Sequence, residues 1–190
     1  MIGKKKIATL SLLVILVFAM AAIMGGCKSK TVYADIEIEG YGTITVELDA
    51  DAAPKTVDNF ISLAESGFYD GLTFHRIMEG FMMQGGAPKS GNAPATIPGE
   101  FAANGYDNPL SHTRGAISMA RAQDPNSASS QFFIVHQDST FLDGNYAAVG
   151  YVTSGMEIVD QICTEAAPLD NNGKIAEDAQ PVIVSITIHE

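Results

Sequence analysis

One arginine and one glutamine stand among bulky apolar residues in the segment of this chain best suited to chemistry. Residues 74–86 read FHRIMEGFMMQGG, so Arg76 and Gln84 lie in two short apolar runs hinged at Gly80. An arginine side chain is permanently charged, carries several N–H donors and is rarely buried without a partner. The segment therefore predicts a half-apolar, hydrated groove into which a cationic hydrogen-bond donor points.

The two runs have the length and composition of β-strands. Strict alternation places Arg76 on one face with Phe74 and puts His75 on the other, so no direct role is expected for His75. In the second run, alternation places Phe81 on the face opposite Gln84. For an isolated arginine, an alternative stays open: the side chain could cover apolar surface at the rim of a barrel with its stem.

Three blocks together resemble the signature of the cyclophilins, the cyclosporin-binding class of peptidyl-prolyl cis-trans isomerases. After residues 74–86 come ISMARA at 117–122 with PNSASSQFFI at 125–134, and then FLDGNY at 141–146 with Val149 and Gly150. The blocks follow the order and spacing of that family. The resemblance implies a mainly β fold, an eight-stranded antiparallel β-barrel closed by two α-helices.

Hydrophobic patterns read without the resemblance indicate a β-rich chain, a barrel or a sandwich, with no internal repeat and no second domain. Strands are predicted at residues 33–38, 43–48, 74–78, 81–84, 115–120, 131–135, 147–152 and 182–188. One helix is predicted to begin at Pro54 and to end near Gly67, and another covers residues 156–163. The stretch 87–108 is rich in Gly, Pro, Asn and Ala and is predicted to be mostly loop.

The resemblance also implies the site residues. Arg76 would donate a hydrogen bond to the prolyl nitrogen while the X–Pro bond is twisted, Gln84 would position Arg76 and the substrate carbonyl, and Phe81 completes the catalytic set. The implied substrate-binding residues are Met82, Ala120, Arg121, Gln131, Phe133, Phe141, Leu142 and Tyr146. Core packing would be the simpler interpretation of each apolar residue taken alone, but their company with Arg76 and Gln84 favours a proline pocket.

Three positions depart from the common family pattern. Phe141 stands where many eukaryotic members carry a tryptophan, Tyr146 where they carry histidine, and Arg121 where asparagine is usual, so Arg121 is expected to meet peptide through its backbone. Phenylalanine keeps the wall apolar but lacks the ring N–H donor of tryptophan. Isomerase activity with weak cyclosporin binding is therefore expected. The loop that contains Gln123 and Asp124 is also about one residue longer than usual.

The N-terminal residues resemble a lipoprotein export signal. Residues 1–26 combine Lys4 to Lys6 with an apolar run and end just before Cys27, which would be lipidated and followed by a short tether to residue 31. The isomerase-like domain would then cover residues 32–190, anchored by lipid to a bacterial cell membrane on its extracytoplasmic side. Two alternatives stay open: cleavage at the small-x-small site of residues 19–21, or an uncleaved membrane anchor.

Composition narrows the range of partners. The net charge is −11, and loss of the signal, which holds three lysines and no acidic residue, brings it near −14. Such a charge argues against nucleic acid and against an electrostatic grip on anionic lipid, so membrane contact is expected only through lipid on Cys27. Four histidines without paired ligand spacing give no metal site, and no cofactor is implied. A monomer is the default expectation.

Two classes of function follow. The first is a prolyl isomerase that assists the folding of exported proteins and takes proline-containing polypeptides as substrates. The second is a non-catalytic chaperone or scaffold that binds proline-containing peptides on the cell surface. Arg76 favours the enzyme, because binding of proline alone does not require that donor.

Overall fold

The computed structural model describes residues 31–88 and 93–190. The predicted signal segment, Cys27 and the tether before Thr31 lie outside the described residues, so these assignments stay predictions. Within the described residues, no helix is both long enough and apolar enough to cross a membrane.

Eight antiparallel strands form one sheet in the described part of the chain. The strands are β1 (Val32–Ile38), β2 (Gly42–Leu48), β3 (Phe74–Met78), β4 (Met82–Gly85), β5 (Ala116–Met119), β6 (Phe132–Val135), β7 (Ala148–Ser154) and β8 (Ile183–His189). Their order in the sheet is β3-β4-β6-β5-β7-β2-β1-β8. The predicted mainly β fold with eight antiparallel strands is confirmed, and every predicted strand is present within a few residues of its expected bounds.

The sheet curls until its two edge strands meet. The N–H of Phe74 donates to the carbonyl of Pro181 at 2.9 Å, and the N–H of Ile183 donates to the carbonyl of Leu72 at 2.8 Å. These bonds join the start of β3 to the start of β8 without a continuous ladder. The seam of the curled half-barrel therefore lies beside β3, the strand that carries Arg76.

Two helices pack against the curled sheet, as predicted. Helix α1 (Pro54–Glu65) has proline in its first turn, where a missing N–H is harmless. Its start is held by the buried Glu100, whose Oε2 accepts hydrogen bonds from the N–H of Thr56 at 2.8 Å and from its hydroxyl at 2.7 Å. Helix α2 (Met156–Glu165) buries Val159, Ile162 and Cys163. Both helices contribute to the main apolar core inside the sheet.

Alternation along the strands divides the apolar residues into a main core and a smaller cluster. Strand β6 sends Phe132 and Ile134 into the main core, and Phe133 and Val135 into the smaller cluster. The partly buried residues packed against the smaller cluster are Met78, Phe81, Ala120, Tyr146 and Tyr151. The smaller cluster is the part of the fold that carries the candidate site.

The strict alternation expected around Arg76 is wrong at two points. The register of β3 against β4 shifts between Phe74 and Arg76, and Phe74 is fully buried in the main core while Arg76 faces the smaller cluster. Phe81 precedes β4 in a turn, so its side chain escapes the alternation and lies on the same side as Gln84. A bulge and a turn each reset which face a side chain occupies.

Candidate active site

Nine of the predicted site residues surround one pocket of about 420 Å³ that is open to solvent. They come from β3, β4, β6, the end of β5 and the segment around the short 3-10 helix Thr140–Leu142. The lining residues are Arg76, Phe81, Met82, Gln84, Ala120, Arg121, Phe133, Leu142 and Tyr146. Gln131 lies in a second, adjoining pocket, which shares Gln84, Ala120 and Arg121 with the first.

The guanidinium of Arg76 is held on two sides. Its Nε donates to the backbone carbonyl of Asn172 at 2.7 Å, and its Nη1 donates to Oε1 of Gln84 at 3.2 Å. The guanidinium carbon lies 5.9 Å from the centre of the Phe81 ring, a cation–π distance. The guanidinium also contacts the weak sulfur acceptor of Met78, with Nη2 3.3 Å from Sδ. Arginine carries five N–H donors, so donors of this group can still serve a ligand in the pocket.

Gln131 fixes the orientation of the Gln84 side-chain amide. Its Nε2 donates to Oε1 of Gln131 at 2.9 Å, which leaves its own Oε1 to accept from Arg76. The amide orientation is set at both ends, because a cation requires the oxygen and an acceptor requires the nitrogen. Gln131, Gln84 and Arg76 therefore form one chain of hydrogen bonds along the groove.

An apolar wall begins beside the guanidinium, where Sδ of Met82 lies 4.0 Å from Nη1 of Arg76. Met82 is 1% exposed and Phe133 is 5% exposed, and Leu142 adds an aliphatic surface beside them. The Phe133 and Tyr146 rings meet edge to face with their centres 6.0 Å apart. An apolar side chain without charge, such as a pyrrolidine ring, would lose its hydration favourably on entering this pocket.

An Asp–His–Ser set, in which the histidine and the serine are buried, supports that wall from behind. The His112 ring stacks on Phe133 with centres 5.9 Å apart; Nδ1 of His112 lies 2.8 Å from Asp143 and Nε2 lies 2.9 Å from the hydroxyl of Ser118. His112 and Ser118 are fully buried, and this burial lowers the pKa of His112. The hydroxyl cannot reach a substrate, so this set holds Phe133 in place instead of attacking a bond.

The Arg121 side chain is occupied within the protein. Its Nε donates to the carbonyl of Asn145 at 2.9 Å, and its guanidinium carbon lies 5.1 Å from the Phe101 ring centre and 4.7 Å from that of Tyr146. Its Nη1 also donates to the carbonyl of Ala122 at 2.9 Å. These contacts hold the Arg121 side chain at the boundary between the two pockets, both of which it lines.

Two further residues lie at the margins. Phe141 is 71% exposed, and its ring centre lies 5.7 Å from that of Phe81, so it extends the wall outward from the rim. His75 does not line the pocket. Its carbonyl accepts from the N–H of Ile175, and burial of its ring lowers the pKa of His75.

Sequence reasoning missed the group that holds Nε of Arg76. Asn172 is 96 residues further along the chain and contributes a backbone carbonyl, for which no residue type gives a signal. The turn is closed by Asp170, whose Oδ1 accepts from the N–H of Asn172 at 2.9 Å and from that of Lys174 at 3.2 Å. Residues 31–88 and 93–190 contain no group of three His, Cys, Asp or Glu residues that could hold a metal ion.

Comparison with known proteins assigns the family. Residues 33–188 match the family model described as cyclophilin type peptidyl-prolyl cis-trans isomerase/CLD. The chain belongs to the cyclophilin-type peptidyl-prolyl cis-trans isomerase family, which confirms the resemblance inferred from the three sequence blocks.

Relatives and solved structures agree with this assignment. A protein of Brucella suis named probable peptidyl-prolyl cis-trans isomerase is 44% identical over an alignment of 130 residues, and the match covers 64% of this chain and 66% of that protein. Peptidyl-prolyl cis-trans isomerase B of Bacillus subtilis is 46% identical over an alignment of 123 residues, and the match covers 63% of this chain and 82% of that protein. The first match therefore spans just under two thirds of its relative.

A crystal structure of a cyclophilin type isomerase from Cryptosporidium parvum superposes with a TM-score of 0.73 at 28% identity, covering 85% of this chain and 99% of that one. A structure of the same protein obtained in the presence of the dipeptide Ala-Pro gives a TM-score of 0.71 at 29% identity, with the same coverage. The curled sheet with two helices is thus the fold of that family.

Gly173 offers a test of how Arg76 is held. Its φ is +84°, and a Cβ there would lie 2.7 Å from the carbonyl oxygen of Ile77 and still closer to Met78. We expect Gly173→Ala to push the turn away from β3, to free Nε of Arg76 and to lower the free energy of unfolding by about 3 kcal/mol. Urea denaturation and hydrogen exchange of the Arg76 Nε–H measure the two effects.

Gly40→Ala is the matched control, because Gly40 has a φ of +74° and open space where a Cβ would stand. This variant carries only the backbone strain, about 1 kcal/mol, and leaves exchange at Arg76 unchanged. Slow exchange of the Arg76 Nε–H in Gly173→Ala would contradict the role given to the turn.

Proposed function

We propose that this domain catalyses cis-trans isomerisation of X–Pro bonds. The observation that carries the proposal is a guanidinium, fixed by Gln84 and by the carbonyl of Asn172, that lines a pocket together with the apolar side chains of Phe81, Met82, Phe133 and Leu142. Membership of the isomerase family and the neighbouring structure obtained with Ala-Pro support the same substrate class.

The reaction asks little of its catalyst beyond positioning. Rotation about the peptide bond has a barrier of about 18–20 kcal/mol, because the C–N bond has partial double-bond character. When the bond is twisted, conjugation is lost and the prolyl nitrogen regains a lone pair that accepts a hydrogen bond. Donation by Arg76 at that moment stabilises the transition state more than either planar isomer, and only such selective stabilisation accelerates the step.

The other residues hold the two ends of the rotating bond. Phe81, Met82, Phe133 and Leu142 take up the pyrrolidine ring, while Gln84 offers its amide to the flanking peptide. No bond is broken and no proton leaves, so neither a nucleophile nor a base is required. The second candidate, a peptide-binding chaperone or scaffold, would use the same pocket but would gain nothing from a donor held at the position of Arg76.

Replacement of Arg76 separates the two candidates. We expect Arg76→Ala to lower kcat/KM for an Ala-Pro-Phe peptide by about 100-fold, the loss typical for one transition-state donor, while the dissociation constant of the peptide changes by about threefold at most. A protease-coupled assay gives the rate, and calorimetry with an unreactive proline peptide gives the affinity.

Lys55→Ala is the matched control, since it removes one positive charge from an exposed position on α1. Its kcat/KM should equal that of the native protein. Equal rates for the native protein and Arg76→Ala would favour the scaffold and overturn the proposed catalysis.

We also propose that cyclosporin binds weakly. Phe141 supplies apolar surface at the rim but has no N–H, so a hydrogen bond available to a tryptophan there is missing. Phe141→Trp should tighten cyclosporin binding by about tenfold, the value of one added hydrogen bond. The native chain has no tryptophan, so fluorescence of the new side chain reports binding directly, and calorimetry serves the native protein. A nanomolar dissociation constant for the native protein would contradict this.

We further propose that the protein works outside the cytoplasm, where it is anchored by lipid on Cys27 and assists the folding of exported chains. The support is the N-terminal sequence, with three lysines, an apolar run and Met24-Gly25-Gly26 before the cysteine. Two acyl chains suffice for stable anchoring without help from charge, which suits a strongly acidic domain. Slow prolyl steps in newly exported chains would be its substrates.

Intact-mass measurement of the full-length protein, extracted from bacterial membranes, tests this anchor. We expect the native protein to begin at Cys27 and to carry added acyl mass, and the Cys27→Ser variant to carry none. A native protein that begins near residue 22 without acyl mass, or one that keeps residues 1–26, would establish the corresponding alternative in place of lipidation.

A further inference from the structure

His136 makes hydrogen bonds with both residues of the Gly80–Phe81 segment before β4, which we call the hinge. Its ring Nδ1 accepts a hydrogen bond from the N–H of Gly80 at 2.9 Å, and its backbone N–H donates to the carbonyl of Phe81 at 2.8 Å. Gly80 has a φ of +77°, and Phe81 forms the pocket wall beneath the guanidinium of Arg76. His136 therefore fixes the backbone at both Gly80 and Phe81, where the pocket wall begins.

The His136 ring is in turn fixed from the far side. Because Nδ1 accepts from Gly80, the ring proton of the neutral imidazole sits on Nε2, which lies 3.2 Å from Oδ1 of Asp160 on α2. Oδ1 of Asp160 is buried and has no aligned hydrogen bond, so this contact is electrostatic. Arg114 completes the set: its Nη2 donates to Oδ2 of Asp160 at 2.7 Å and its Nη1 to the carbonyl of His136 at 2.8 Å.

We propose that His136 is a positioning residue for the isomerase site, and that its neutral form holds Phe81 in place through Gly80. This inference rests on the proposed function for its kinetic consequence. A second proton on the ring would turn Nδ1 into a donor that faces the N–H of Gly80, another donor. The ring and the hinge would then separate, and the pocket wall under Arg76 would lose its fixed position.

Charged and titratable groups from several elements surround His136. The hydrogen bond from Arg114 lowers the pKa of Asp160, and the same pair raises the pKa of Arg114, so both keep their charges near neutral pH. Burial raises the pKa of Cys163, which also lies on α2, to about 12, so its thiol stays neutral. The charge of Glu79, in the β3–β4 turn, adds to burial in raising the pKa of Cys163, and Asp138 accepts from the N–H of Arg114 at 2.8 Å.

Protonation of the His136 ring would make the isomerisation rate depend on pH in a way that a purely structural residue would not. By NMR exchange spectroscopy, which needs no protease, we expect kcat/KM of the native protein to fall about fivefold in one step as acidification adds the second proton to the His136 ring, the value of one lost hydrogen bond. His136→Asn keeps an acceptor near the position of Nδ1 but does not titrate. It should retain the neutral-pH rate and lose the step.

Two further variants sharpen the test. His136→Leu removes the acceptor and should show the low rate at every pH. His189→Asn is the matched control, because it removes a histidine at the end of β8 that pairs with Asp35 and stacks on Tyr33, both on β1. Its profile should match that of the native protein. Equal melting temperatures establish that the variants are folded.

A readout without substrate keeps this inference separate from the proposed activity. The amide proton of Gly80 should move downfield when bound to Nδ1 and should shift in step with titration of the His136 ring in the free protein. A Gly80 amide that ignores this titration, or a His136→Asn profile that superposes on the native one, would overturn the role of His136. If catalysis itself were absent, the Gly80 shift would still report the hinge.

Discussion

The site depends on holding the guanidinium of Arg76 beside an apolar pocket, so that it does not rotate toward solvent. The Asn172 carbonyl accepts a hydrogen bond from Nε of Arg76, and Oε1 of Gln84 accepts one from Nη1. The Gln84 amide is itself fixed by a hydrogen bond to Gln131. Both acceptors are neutral, so the guanidinium is oriented without being neutralised by a carboxylate. The guanidinium therefore keeps its full charge where it lines the pocket, and the low dielectric of an apolar wall increases the effect of that charge.

The curled sheet explains how distant segments supply that arrangement. Arg76 lies on the edge strand β3, at the seam where the sheet closes, so a turn from residue 170 to 174 can pack against it. The smaller cluster forms because alternate side chains of β6 point away from the main core. Within it, the Asp143–His112–Ser118 set holds the Phe133 ring in place. Buried polar side chains thus serve here to fix apolar ones.

Much of this was accessible from sequence, because the three blocks carry side chains whose types and spacing are specific. The strands and helices followed from alternation, from Pro54 and from apolar spacing. The predicted faces were wrong where the backbone departs from regular strand geometry. A register shift between Phe74 and Arg76 places these two side chains on different faces, and the turn at Gly80 places Phe81 on the same side as Gln84. The Asn172 carbonyl and the ring of His136 were missed, because tertiary contacts across distant segments leave no local pattern.

A crystal structure with a bound Ala-Pro peptide tests the central claim most directly. The account predicts the prolyl ring between Phe81, Met82, Phe133 and Leu142, with the Arg76 guanidinium still bonded to Gln84 and to the Asn172 carbonyl and its free N–H groups facing the X–Pro amide. A prolyl ring bound elsewhere, or a guanidinium turned to solvent with both bonds broken, would contradict it.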